Sequence, residues 1–201
     1  MSKTVFRLAA ALFAVFALAG PVAAAPTQTA VFAGGCFWSM EHDMEPVPGV
    51  VRVVSGYAGG HVDHPTYAQV STETTGHLES IQVTFDPAKI SYAALVERYW
   101  HMIDPTDAGG AFCDRGPSYH SAIFVAGPEQ KRVALASLAA LQKGPLKGKI
   151  ATQIRDAAPF WPAEEYHQHY AAKHPVEYGA YRMGCGKDRR VKQVWGPLAF
   201  R

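Results

Sequence analysis

The chain has 201 residues, of which 48% are hydrophobic and 18% charged, with a formal net charge of +2. That length suits one domain, and the composition excludes a disordered, fibrous or collagen-like chain. So small a net charge gives no electrostatic case for nucleic acid or an anionic membrane as partner, and the basic cluster Lys187-Asp188-Arg189-Arg190 reads as a solvated surface turn.

The N-terminus is set apart from the rest. Lys3 and Arg7 precede a continuous apolar run from Leu8 to Leu18, and Pro21-Val22-Ala23-Ala24-Ala25 supplies small residues. This is the pattern of a signal peptide over residues 1–24, with cleavage after Ala24 or Ala25. The apolar run is short for a bilayer span, so no stable membrane association is expected after its removal. Cleavage takes away two of the nineteen basic residues and no acid, leaving seventeen against seventeen. Residues 25–201 are expected to form a single domain, a monomer, in an exported and periplasmic protein. Export exposes Cys36, Cys113 and Cys185 to an oxidising compartment, where an odd count leaves at least one thiol unpaired.

Val31 and Phe32 end a strand over 29–33, and Gly34-Gly35 permits a tight turn. Phe37, Met40 and Met44 then recur at i, i+3 and i+7, which predicts a helix over 37–45 that stops at Pro46-Val47-Pro48-Gly49. Cys36 falls at the start of that helix, where unpaired amides and the helix dipole favour thiolate. A buried structural cysteine is the alternative reading. Val50 to Val54 is a β-branched strand. Ser55 to Gly76 reads as a long irregular stretch holding Tyr57, His61, His64 and Tyr67.

Residues 78–85 alternate, with Ile81, Val83 and Phe85 on one side. Ser91 caps a predicted helix over 92–103. A second long loop, 104–119, carries Cys113, Asp114 and Tyr119. A strand over 121–126 and a helix from Gly127 to about Gln142, stopped by Gly144-Pro145, follow. Residues 150–154 read as an edge strand, and Pro162 as the start of a helix carrying Tyr166 and Tyr170. From Gly179 the tail reads as irregular and mobile, with Cys185 between Gly184 and Gly186. The order β-α-β-β-α-β predicts an α+β fold, a two-layer sandwich with a ferredoxin-like core.

Three chemistries compete for these residues. A zinc site is weak, because no cysteine pair has the usual spacing, and a helical i, i+2 placement would turn His167 and His169 to different faces. A cysteine hydrolase would need a histidine such as His77 or His120 to take the thiol proton. A redox enzyme would use Cys36 as nucleophile, an acid at the start of the 78–85 strand, and a second thiol on a flexible segment. Glu79 supplies the acid, and desolvation there would raise its pKa enough to donate a proton near neutrality; a solvent-facing strand-end glutamate is the alternative. The glycines flanking Cys185 suit a resolving thiol or a static disulfide.

Gly35-Cys36-Phe37-Trp38, Gly56-Tyr57-Ala58-Gly59-Gly60, Pro65-Thr66-Tyr67, Thr75-Gly76-His77-Leu78-Glu79 and Phe112-Cys113-Asp114-Arg115-Gly116 with Tyr119 come in that order along the chain. Pro162 to Gln168, Cys185-Gly186 and Trp195-Gly196 extend the set. Together they resemble the A-type peptide methionine sulfoxide reductases over roughly residues 29–197. The resemblance implies that Cys36 attacks the sulfur of a methionine S-sulfoxide, free or in a protein, while Glu79 protonates its oxygen. It assigns Tyr67 and Tyr119 to hydrogen bonds around that oxygen, Asp114 to a supporting role, and Phe37 and Trp38 to the substrate methyl group. It further implies a Cys36 sulfenic acid resolved to a Cys36–Cys185 disulfide, recycling by a thioredoxin-like dithiol, and no bound metal or organic cofactor. Ser39, where the family usually has glycine, and His120, where arginine is common, depart from the pattern. Cys113 falls close to this set and reads either as an inert cysteine or as a second resolving or intermediate thiol.

Overall fold

A computed structural model describes residues 26–144, 146 and 150–201. The leader read over residues 1–24, its cleavage point and Pro145 lie outside the described residues.

The elements run β1 (Gln28–Ala33), α1 (Phe37–Met44), β2 (Val50–Ala58), α2 (Tyr67–Val70), β3 (Leu78–Phe85), α3 (Tyr92–Trp100), β4 (Gly110–Ala111), β5 (Asp114–Arg115), β6 (Ala122–Val125) and α4 (Gly127–Lys143). They continue with β7 (Gln153–Asp156), β8 (Phe160–Pro162), α5 (Tyr170–Lys173), α6 (Pro175–Cys185) and α7 (Lys187–Trp195). One six-stranded sheet has the order β7-β6-β1-β3-β2-β8. Its central strands β6, β1, β3 and β2 are antiparallel neighbours. The α+β class holds, and this order is compatible with the ferredoxin-like core.

The alternation in β3 does what its period demands. Ile81, Val83 and Phe85 enter the main core with Phe32 of β1, the α1 residues Phe37, Met40 and Met44, and the α3 residues Leu95, Val96 and Tyr99. The opposite face carries a smaller cluster of Ala33, Ala58, Leu78, Ala122 and Phe124, packed on Phe160. Tyr99 ties the layers together by donating its hydroxyl to the Ala33 carbonyl at 2.8 Å.

Three segments differ from their sequence reading. Ser55 to Ala58, taken as the start of an irregular stretch, continues β2, because Gly56, Tyr57 and Ala58 pair with β8. Pro162 ends that strand rather than starting a helix; a 3-10 turn over Glu165–His167 and the short α5 follow it. His167 and His169 therefore do not share a helix.

The C-terminal segment is the third. It forms α6 and α7, not an irregular tail, and Gly186 joins them in the left-handed conformation at φ 71°. Tertiary contacts outweigh the helix-weakening glycines. Val191 is fully buried, and Trp195 donates its indole N–H to the Ile103 carbonyl at 2.8 Å. The basic cluster is not a solvated turn either. Lys187 is 2% exposed and lies 2.8 Å from Asp43 of α1, while Arg190 meets Asp104 at 2.6 Å.

Candidate active site

The turn from β1 into α1 puts Cys36 at the helix start, one residue ahead of Phe37. Gly35 makes the turn at φ 94°, where a Cβ would come within 2.5 Å of the Ala111 side chain. Cys36 is the free cysteine.

Glu79 lies under it because of strand register. It pairs with Tyr57 of β2 and shares a face with Ile81 and Val83, so its side chain points toward α1 and is 3% exposed. Its Oε2 accepts the Phe37 N–H at 3.0 Å, satisfying one of the unpaired amides at the start of α1. Burial pushes this carboxyl up to about 8, with the Asp114 and Glu73 carboxylates acting in the same sense and the Phe37 amide against it. The partly desolvated acid predicted at the strand start is thus present. The solvent-facing alternative is not.

Cys36 departs from expectation. Burial, followed by the Glu79 and Asp114 carboxylates, pushes its thiol well above the ordinary range; contacts from the Tyr181 hydroxyl and the Trp38 amide act the other way without winning. The helix-start placement favours thiolate, but desolvation and two nearby acids outweigh the helix dipole. In this state the nucleophile is held as a thiol.

An aromatic wall surrounds the pair. Phe37 lies 5.8 Å from Tyr57 and 4.9 Å from His167 between ring centroids. Trp38 donates its indole N–H to His167 Nδ1 at 3.0 Å and stacks on Tyr170 at 3.6 Å. Tyr67 lies 4.5 Å from the His167 ring, and the Tyr119 hydroxyl is close enough to act on its own. Burial and the Glu79 carboxylate push both tyrosine hydroxyls up, which keeps them protonated as donors. Glu164 organises the wall, accepting from the Tyr57 hydroxyl at 3.0 Å and the Tyr67 amide at 2.8 Å. Sequence reasoning assigned no role to Glu164 or His167. Their signal is the Pro162 to Gln168 motif, whose local pattern predicts a helix with Tyr166 and Tyr170 on one face and so says nothing of Glu164 or His167.

The structure joins Cys113 to Cys185, not Cys36 to Cys185. The implied Cys36–Cys185 bridge is therefore not the pairing in this state. Cys113 is exposed in the short hairpin of β4 and β5, and Cys185 ends α6. Asp114, next to that bridge, accepts from the Tyr181 hydroxyl at 2.5 Å, and Tyr181 in turn contacts Cys36. Tyr181 was also missed; only the packing of α6 brings it here. Ser39, one of the departures noted above, is 3% exposed and meets the Tyr178 hydroxyl of α6 at 3.5 Å.

Among the described residues, two groups of thiol, imidazole and carboxylate ligands come together: Cys113, Asp114 and Cys185, whose thiols are consumed by the disulfide, and Glu41, Glu45 and His169.

A buried acid facing one free cysteine, with the other two cysteines joined alongside on an α+β domain, defines a thiol oxidoreductase. The sequence profile of the family described as peptide methionine sulfoxide reductase matches residues 28–198. Peptide methionine sulfoxide reductase MsrA 2 of Caulobacter vibrioides is 54% identical over 196 residues, covering 98% of this chain and all of the relative (100%). The Bacillus subtilis MsrA is 49% identical over 170 residues, covering 84% of this chain and 96% of its own. Among solved structures, methionine sulfoxide reductase A of Corynebacterium diphtheriae is similar at a TM-score of 0.67 and 31% identity, covering 75% of this chain and 76% of that one. The chain belongs to the peptide methionine sulfoxide reductase family, A type, and is an oxidoreductase of the peptide-methionine (S)-S-oxide reductase class.

Proposed function

We propose that Cys36 attacks the sulfoxide sulfur of methionine S-sulfoxide while Glu79 gives its proton to the sulfoxide oxygen, and that the Glu79 carboxylate so formed takes up the proton that the Cys36 thiol gives up. Tyr67 and Tyr119 hold that oxygen, and Phe37 and Trp38 enclose the methyl group. Oxygen passes to Cys36, methionine leaves, and Cys36 remains as sulfenic acid. The Cys185 thiol displaces water from it and forms a Cys36–Cys185 disulfide. The Cys113 thiolate then attacks Cys185 Sγ, which releases Cys36 as a thiol and leaves the Cys113–Cys185 disulfide. A thioredoxin-like dithiol reduces that bridge and completes the cycle. The reaction so written uses side chains of this chain and an external dithiol alone. The leader pattern read in residues 1–24 supports an action outside the cytoplasm, as repair of exported proteins.

The observation that carries this reading is a free Cys36 beside a buried Glu79 whose carboxyl is pushed up to about 8, with the two other cysteines already joined next to them. Asp114 belongs to both halves: its neighbour Cys113 is in the bridge, and its carboxylate holds the tyrosine that touches Cys36.

The test is thiol counting and peptide mapping on the reduced protein after one equivalent of substrate. With the S epimer, the wild type is expected to lose two thiols and yield a Cys113–Cys185 peptide; the R epimer leaves all thiols free. Cys113→Ser is expected to stop at Cys36–Cys185. Cys185→Ser is expected to complete about one turnover and stall at the sulfenic acid. A Cys36–Cys185 bridge as the final wild-type species would remove Cys113 from the sequence of steps. No thiol loss with either epimer would overturn the activity.

A further inference from the structure

The chain carries the very residue whose oxidised form its family reduces. It has five methionines. Met40, Met44 and Met102 are fully buried in the core, and Met1 lies outside the described residues. Met183 is the opposite case: at 81% it is the most exposed large apolar side chain among the described residues. Core packing gives no account of it, and a thioether standing in solvent is the first to meet an oxidant.

Its place in α6 decides what can reach it. Two residues are about 200° apart on an α-helix, so Met183 lies nearly opposite both Tyr181 and Cys185. Tyr181 and Cys185 face the hollow, the one through Asp114 and Cys36, the other through its bridge to Cys113. Met183 is therefore turned away from the Cys36 of its own chain, on the outer stripe with the exposed Val176 and Ala180. No bulky neighbour shields it there. A Cβ added at Gly179 or Gly184 would meet nothing within 4 Å, so the surface around the thioether is open. The side chain stands clear enough to enter the hollow of another molecule.

We infer that Met183 is an oxidation site that the enzyme repairs between molecules, one copy acting on the α6 of another. This rests on the sulfoxide chemistry proposed above. Hydrogen peroxide transfers one oxygen to the Met183 thioether and leaves as water, and the sulfur is oxidised by two electrons to the sulfoxide. Cys36 of a second copy takes that oxygen from the S epimer and restores the thioether. Its sulfenic acid is resolved through Cys185 and Cys113 with loss of a second water, and the external dithiol supplies the two electrons that reopen the bridge. Summed over the cycle, peroxide and dithiol become two waters and a disulfide, and both copies are unchanged. The site gives the enzyme a peroxide-consuming activity beside the repair of other proteins.

The target for the test is the full chain carrying Cys36→Ser, with its Cys113–Cys185 bridge closed so that no thiol is free. Circular dichroism confirms that it is folded. Hydrogen peroxide is expected to add one oxygen to the peptide bearing Met183 and none to those bearing Met40, Met44 or Met102, read by peptide mass spectrometry. After the peroxide is removed, a trace of wild-type enzyme with dithiothreitol is expected to return about half of the Met183 sulfoxide to methionine, because one epimer alone is its substrate. Dithiothreitol without wild-type enzyme is expected to return none. The target lacks Cys36, so any return is the work of a second copy. A parallel vessel holds free methionine S-sulfoxide with the same enzyme. Oxygen on the buried methionines in place of Met183, or an unchanged Met183 sulfoxide while the free substrate is consumed, would overturn the inference alone. Failure on the free substrate as well would overturn the proposed reaction and the inference with it.

Discussion

Glu79 and Cys36 share one hollow in which burial pushes both pKa values up, so both groups favour their protonated forms. Their roles separate by pH. The raised Glu79 carboxyl is a proton donor below about 8 and loses that proton above it. The single-turnover rate of sulfoxide reduction is therefore expected to fall as pH rises through about 8, a limb absent from Glu79→Gln. That variant is also expected to slow the chemical step by roughly 10²–10⁴-fold, the usual contribution of a positioned acid, measured by rapid quench with methionine S-sulfoxide. Unchanged single-turnover kinetics would remove Glu79 from the mechanism. The thiol is expected to report its surroundings directly: iodoacetamide should modify Cys36 slowly at neutral pH, with the thiolate limb displaced above that of an ordinary cysteine. The burial of Glu79 goes against periodicity alone, which favours a solvent-facing glutamate at the strand end; the strand register decides it, by putting residue 79 on the face of Ile81 and Val83 beneath α1. The raised thiol was not readable in advance either, because it depends on burial first, and then on acids from β3 and from the β4–β5 hairpin.

At the scale of elements, α1 does more than present a cysteine, since it also anchors the segment that bears Cys185. Asp43 meets Arg182 of α6 at 2.7 Å and Lys187 of α7 at 2.8 Å, and both cations are largely withdrawn from solvent. Those two cations hold the Asp43 carboxyl below the ordinary carboxylate range despite its burial. Because its pKa is depressed, the stabilisation is present above the ordinary carboxylate pKa and is lost as pH falls through the lowered value. Asp43→Ala is expected to cost about 3–5 kcal/mol in urea unfolding, because it strands a buried ammonium. Lys187→Met, which removes that charge and leaves Asp43 paired with Arg182, is expected to cost less. Equal losses in the two variants would mean that the packing of α7, and not the ion pair, supplies the anchor. His42 and Ser39 add further contacts to α6 through Tyr178, which gives the serine at position 39 a use that a glycine could not supply.

For the molecule as a whole, the Cys113–Cys185 disulfide closes a sequence separation of 72 residues and ties the β4–β5 hairpin to the end of α6. By the chain-entropy argument, a loop of that size contributes about 4.4 kcal/mol, so the reduced enzyme is expected to unfold at lower urea than the oxidised one. An identical midpoint in both redox states would mean that α6 and α7 are held by their buried contacts alone. The sequence by itself determined the α+β class, the strand–Cys36–helix unit, the acid at residue 79 and the ordered set of motifs that marks the family. Each of these is local: apolar periodicity, a glycine turn and motif spacing are written within a few residues of the feature they define. The tertiary structure alone decided the pairing of Cys185, the helical order of the C-terminal segment, and the recruitment of Tyr181, Lys187, Glu164 and His167. Gly179, Gly184 and Gly186 argue locally against helix, and that weak preference is overridden when Val191, Trp195 and Lys187 are buried against distant elements. Disulfide partners and buried charges are set by proximity in space, which no spacing along the chain specifies.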